Sequence, residues 1–305
     1  MTSIIRKVAP WKLRTRTLEL GRRTLIMGVV NITPDSFSDG GAFLDPQAAT
    51  AHALCLIEEG ADIVDLGAES TRPGAQVGRT DPTRVTAEEE QARLLPVIEG
   101  VLREAPGAVL SVDTYKAATA RAAIAAGAEI INDVSGFTWD SNMPAVCAQF
   151  GCAVVLMHTR GRPDEWVAQS KLAADALLEL VRAGLTESLA TASRSGIAPE
   201  SVVLDPGYGF GKKFDENYTL LARQEELLDL GCPLLAGLSR KSFLGHTLSE
   251  LYGGSQAPVE ARETASIAAL VAAILRGASI VRVHNVGSAV EAARVADAIA
   301  MAREL

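Results

Sequence analysis

The stretch Leu25-Ile-Met-Gly-Val-Val30, followed by Asn31-Ile-Thr-Pro-Asp-Ser-Phe-Ser-Asp-Gly-Gly41, reads as a buried strand emptying into a polar loop. A short apolar run with no charge suits a β-strand covered on both faces. The residues after it include Pro34, Asp35, Asp39 and the pair Gly40-Gly41, a composition that makes loops and not cores. Beyond the loop, Pro46–Glu59 has the pattern of an Ala-rich amphipathic helix. Gly60 supplies a left-handed C-cap, and Ile63–Leu66 starts the next apolar run.

That unit recurs to the end of the chain. The sequence predicts strands at Leu25–Val30, Ile63–Leu66, Val109–Val112, Ile130–Ile131, Ala153–Met157, Val202–Leu204, Leu234–Leu238 and Ile280–Val283. Helices lie between them, among them Pro46–Glu59, Ala87–Glu104, Lys116–Ala126, Ser170–Ser195 and Ala261–Arg276. Eight strand–helix units are the number that closes a parallel sheet into a barrel. A doubly wound open sheet would carry a GxGxxG turn after its first strand, and none stands there. The expected fold is therefore α/β, a (β/α)8 TIM barrel: one domain over residues 23–305, behind an N-terminal extension of residues 1–22. Two βα loops are long, from Asn31 to about Asp45 and from Gly67 to about Thr86, and such loops usually bind or cover a ligand.

Composition narrows the function. Hydrophobic residues make up 48% but aromatics only 5%, so the core is built of Ala, Val, Ile and Leu. The net charge of −8 argues against nucleic acid or an anionic membrane as partner. Arg6, Lys7, Lys12, Arg14 and Arg16 are not followed by the apolar segment of a secretory signal, and Ala265–Leu275 is too short to span a bilayer. A cytoplasmic protein is expected. Cys55, Cys147, Cys152 and Cys232 form no CxxC and read as buried structural thiols.

In a parallel barrel, polar groups at the C-terminal ends of the strands share one mouth. Those ends are Asn31; Glu69-Ser-Thr-Arg72; Asp113; Asn132-Asp133; His158; Asp205; Ser239-Arg-Lys-Ser242; and Arg282-Val-His284. Lys241, Arg282 and His284 belong to the seventh and eighth ends, where barrels commonly bind phosphate, and read as an anion pocket. Asp113, Asn132 and Asp205 offer acceptors for a flat heterocycle carrying N–H donors, although Asp at such positions also caps helices. His158 reads as a residue that orients its neighbours more than as a general base.

With these motifs laid out, the chain resembles the dihydropteroate synthase family. The resemblance covers about Ile26 to about Ala300 and rests on Asn31–Gly41, Glu69-Ser-Thr-Arg-Pro-Gly74, Ser111-Val-Asp-Thr114, Ile131-Asn-Asp133, Asp205-Pro-Gly-Tyr-Gly-Phe-Gly-Lys212, Ser239-Arg-Lys-Ser242 and Arg282-Val-His284. It implies condensation of 6-hydroxymethyl-7,8-dihydropterin pyrophosphate with para-aminobenzoate to 7,8-dihydropteroate and pyrophosphate, by a dissociative substitution in folate biosynthesis. It also implies Mg²⁺ as cofactor, with Asn31 as its ligand. Asp113, Asn132, Asp205 and Lys241 correspond to the pterin pocket, and Thr71, Arg72, Arg282 and His284 to the pyrophosphate contacts. Phe37, Pro73, Phe210 and Ser242 correspond to the para-aminobenzoate site. Asp35 and Asp39 stand on a loop that closes over the reaction and, with Lys241, are the catalytic candidates.

Two other readings share the pterin-binding barrel. A corrinoid-linked methyltetrahydrofolate methyltransferase would need neither the Ser239–Ser242 run nor a pyrophosphate pocket, and a non-catalytic pterin-binding paralogue should have lost Asn31, Lys241 or the Arg282/His284 pair. For assembly, Ala265–Leu275 is apolar on nearly every face, so a homodimer is expected to cover it. Asp at Ala269 or Ala272 should then give monomers. The alternative cover is the N-terminal segment with Trp11 and Leu13.

Overall fold

The computed structural model describes residues 6–33, 45–70 and 85–302. A hairpin of β1 (Ala9–Lys12) and β2 (Thr17–Leu20) comes first, then β3 (Leu25–Asn31), α1 (Pro46–Glu58), β4 (Ile63–Gly67), α2 (Ala87–Glu104), β5 (Leu110–Asp113) and α3 (Ala117–Ala125). The chain continues with β6 (Ile130–Asp133), α4 (Met143–Phe150), β7 (Ala153–Met157), α5 (Ala174–Arg194), β8 (Val202–Asp205), α6 (Phe214–Ala222) and β9 (Leu234–Ala236). It ends with α7 (Ser242–Thr247), α8 (Glu263–Leu275), β10 (Ala278–Val283) and α9 (Val286–Met301). Strands β3 to β10 close into a barrel in chain order, β10 pairing back onto β3. The expected (β/α)8 architecture is the observed one.

Period-two alternation sorts the strand side chains. In β3, Ile26 and Val30 join the layer between strands and helices, whereas Leu25 and Met27 point into the barrel. The inward set at the floor is Leu25, Met27, Ile63, Val109, Ile130, Val155, Val203, Leu235 and Ile280. Several strands run one or two residues further than the apolar runs, because the polar residue at each end still pairs in the sheet: Asn31 with Gly67, Gly67 with Asp113 and Asp113 with Asn132. Helix α5 begins four residues later than its pattern, after a short 3₁₀ turn at Trp166–Ala168.

Hairpin β1–β2 closes the floor. Trp11, Leu13 and Leu20 are buried against the inward-facing layer, and the Trp11 indole N–H donates to the Ser201 carbonyl at 3.1 Å. Glu129 accepts from the Thr15 amide at 2.9 Å in the hairpin turn. The N-terminal segment therefore does not cover α8. Most of that cover comes from α9, β10 and α6 of the same chain, which leaves only Thr264 and Ala268 of α8 exposed. Ala269 is itself core, so an Asp there would disrupt packing and is no probe of an interface. One further reading needs correction. Cys55 lies exposed on α1 beside Glu59, one turn on, although Cys147 and Cys152 are buried as expected. Among the described residues no helix is long and apolar enough to cross a membrane.

Candidate active site

The centre of the barrel mouth is a residue that a survey of strand ends passes over. Asp65 sits in mid-strand in Ile63-Val-Asp-Leu-Gly67 and is fully buried. Its carboxylate accepts from Ser111 Oγ on β5 at 2.6 Å, from Asn132 Nδ2 on β6 at 3.1 Å and from Arg282 Nε on β10 at 2.6 Å. A buried carboxylate persists only with such partners. The same guanidinium donates through Nη2 to Asp113 at 2.9 Å. Four strands are thus tied across the mouth through one charge network. Burial pushes the Asp113 carboxyl up to about 7, against the Arg282 charge and with the help of neighbouring carboxylates. The sequence signal for Asp65 was its isolation: a lone carboxylate within an apolar strand needs a buried partner.

On the other side of the mouth, Asp205 Oδ1 accepts from the Gly207 amide at 2.7 Å, and burial raises its carboxyl above the usual range. A β-carbon at Gly237 would lie at ordinary contact distance, 3.8 Å from Asp205 Oδ2 and 3.9 Å from Arg282 Cβ, which puts Asp205 and Arg282 on either side of this residue. The segment after Asp205 is held by Lys212, another residue the strand ends do not reveal. Its buried ammonium meets Gly207 O at 2.7 Å, His158 O at 3.1 Å and His158 Nδ1 at 3.0 Å. Burial lowers the Lys212 amine to about 7; when it carries its charge, Nδ1 is the acceptor and the imidazole holds its proton on Nε2. Burial, with Lys212 and Arg160 nearby, holds His158 well below the ordinary histidine range. His158 orients a neighbour, as expected. Gly207 has φ +73°, and a β-carbon there would sit 1.9 Å from His158 O, so only glycine fits.

The segment places Phe210 between two partners. Trp166 meets it edge-on at 5.1 Å, and Lys241 Nζ lies 4.0 Å from the ring centroid. Burial lowers the Lys241 amine to about 8. Ser242 opens α7, for which Lys241 is the N-cap. His284 lies just beyond β10 in the turn, not on the strand, with Nδ1 3.0 Å from Ser239 Oγ. Asn31 ends β3. Asp133 turns away from the mouth to accept from Ser135 N at 2.8 Å and Phe137 N at 3.0 Å. Lys116 anchors Glu69, at the root of the second long loop, with Nζ 2.6 Å from Glu69 Oε2 and 3.2 Å from Glu90 Oε2. Asp35, Phe37, Asp39, Thr71, Arg72 and Pro73 lie outside the described residues. Among the described residues no cluster of three His, Cys, Asp or Glu stands ready for a metal ion.

A mouth in which carboxylates and cations interlock has close counterparts. The model for the family described as pterin binding enzyme matches residues 27–284. The dihydropteroate synthase of Mycobacterium leprae is 44% identical over 273 residues, 90% of this chain and 92% of that protein. The chain belongs to the dihydropteroate synthase family of pterin-binding enzymes. A solved dihydropteroate synthase of Xanthomonas albilineans, with 4-aminobenzoic acid, superposes with a TM-score of 0.83 at 41% identity, over 96% of this chain and 98% of that one. The same organism's enzyme in complex with 7,8-dihydropteroate gives a TM-score of 0.78 at 38% identity, over 95% and 98% of the two chains. Dihydropteroate synthases therefore share this fold along nearly the whole chain.

Proposed function

We propose that the protein is a dihydropteroate synthase, joining 6-hydroxymethyl-7,8-dihydropterin pyrophosphate to para-aminobenzoate with release of pyrophosphate. The observation that carries this reading is that one mouth gathers both kinds of group: Asp113, Asn132, Asp205 and Lys241, which we assign to a pterin ring, beside Arg282 and His284, which we assign to its pyrophosphate. Phe210, Ser242, Phe37 and Pro73 take the arylamine, and Thr71 and Arg72 add contacts to the phosphates.

The bond between the pterin methylene carbon and the pyrophosphate oxygen breaks first, its electron pair leaving with the pyrophosphate. Arg282 and His284 meet the negative charge that grows there, which is where preorganised charge lowers a barrier most. The arylamine nitrogen then bonds to the methylene carbon and loses a proton. Asp35 and Asp39, on the first loop, help keep water from the cationic carbon. For magnesium, the donor chemistry of the mouth fits: Asn31 offers a hard amide oxygen, and Mg²⁺ is commonly held by one or two protein oxygens together with substrate phosphates. Charge neutralisation on the leaving pyrophosphate is what a bound ion supplies.

We infer in addition a cytoplasmic location, and a homodimer, the latter supported by the apolar residues exposed on α9. A coupled assay for pyrophosphate release tests the function. Release that requires para-aminobenzoate is expected. Release independent of the arylamine, or none, would reject the proposal.

A further inference from the structure

Lys241 reaches the mouth by way of a backbone conformation that its neighbour should avoid. Arg240 has φ +60°, in the left-handed region where a β-carbon is crowded. Phe137 is the other non-glycine residue with positive φ among those described. Such a residue persists only where its surroundings hold it. Here both of its backbone groups are held. The Arg240 amide donates to Ser266 Oγ at 2.9 Å, and its carbonyl accepts from Arg262 Nη1 at 3.0 Å.

The two holding groups are buried and fixed in their turn. Ser266 Oγ donates to Arg262 O at 2.7 Å, and Arg262 Nε donates to Ala257 O at 2.9 Å. Gly245 leaves room for the guanidinium, since a β-carbon there would lie 2.5 Å from Arg262 Nε. The Arg240 side chain, by contrast, is 39% exposed and stands 4.0 Å from Glu263. The restraint therefore acts on the backbone.

We propose that Ser266 and Arg262 are positioning residues for Lys241, holding the left-handed turn at Arg240 so that the lysine is delivered into the pterin site. The inference rests on Lys241 belonging to that site. Among the described residues, the hydrogen bonds of Ser266 and Arg262 go to the turn and its supports and not to the mouth's ligand groups; they act through the turn, from α8 and the 3₁₀ turn before it.

A double-mutant cycle tests this, with calorimetric affinity for 6-hydroxymethyl-7,8-dihydropterin pyrophosphate in wild type, S266A, R240G, S266A/R240G and K241A. Loss of Ser266 should weaken binding about tenfold in the wild-type background. In the R240G background, where glycine adopts the left-handed turn without help, the same change should cost less than about twofold. An equal factor in both backgrounds, or no weakening in either, rejects the clamp. K241A separates the two ideas: if it binds as wild type, the placing of Lys241 in the pterin site fails instead. R262M probes the carbonyl side by the same cycle and serves if S266A does not fold. The alkaline limb of kcat/KM should also move upward in pH in S266A as the amine becomes less buried; an unmoved limb counts against the proposal.

Discussion

Asp65 receives three donors from three strands, and its removal tests the network directly. In D65N, an amide would present hydrogens to donors, and Arg282 would keep only Asp113 as an ionic partner. Breaking a buried pair from one side costs about 3 kcal/mol or more. D65N should show a urea midpoint lowered accordingly, together with a lower kcat/KM; an unchanged midpoint would mean that the ties at Asp65 contribute little. Protonation gives a second prediction. As the carboxylate Asp113 offers a pterin two acceptor oxygens, and protonation replaces one of them with a donor, so kcat/KM should rise as pH passes about 7. Lys241 holds its charge only below about 8, so activity should fall above that value. A flat profile between pH 6 and 9 would contradict both roles. At this scale the sequence was legible wherever polarity interrupts an apolar run at its end. Asp65 and Lys212 were not, because their positions make sense only once partners from distant strands are known.

The hairpin of β1 and β2 seals the barrel at the end away from the substrates. Trp11 is its anchor, packed among inward-facing residues with its N–H satisfied by Ser201. Truncating a buried Trp costs about 3–5 kcal/mol. W11A should therefore melt at lower temperature while the folded protein binds pterin substrate as before. A specific loss of pterin affinity, with the melting temperature retained, would overturn this division between floor and mouth. The barrel strands and long helices were legible as elements because their apolar runs end at glycines and polar clusters. The hairpin was not. Its strands are four residues each, and the charges at Lys12, Arg14, Arg16 and Glu19 mask their alternation.

In the molecule as a whole, α9 presents apolar residues to the outside, Val295 being 62% and Ile299 44% exposed. These residues lie one helical turn apart and so share a face, with Met301 also exposed near the helix end. The apolar sequence of α8 suggested a surface needing a partner, but α9 covers much of it and presents an apolar face of its own. V295D and I299D should yield monomers if that face pairs with a second copy. Sedimentation that finds the wild type monomeric at micromolar concentration would reject the dimer. Chain-level periodicity could announce eight units and a closed barrel. Which helix face remains bare depends on packing between helices, which periodicity does not carry.

The grip of Arg282 on both Asp65 and Asp113 has a consequence for inhibitor chemistry. Asp113 is already satisfied by an internal cation, so a ligand competes with the protein's own guanidinium for that carboxylate. A compound that adds a donor to Asp113 while leaving Arg282 in place gains a hydrogen bond at little cost. One that drives Arg282 away must compensate a stranded buried charge, and much of its apparent complementarity will be lost from its measured potency.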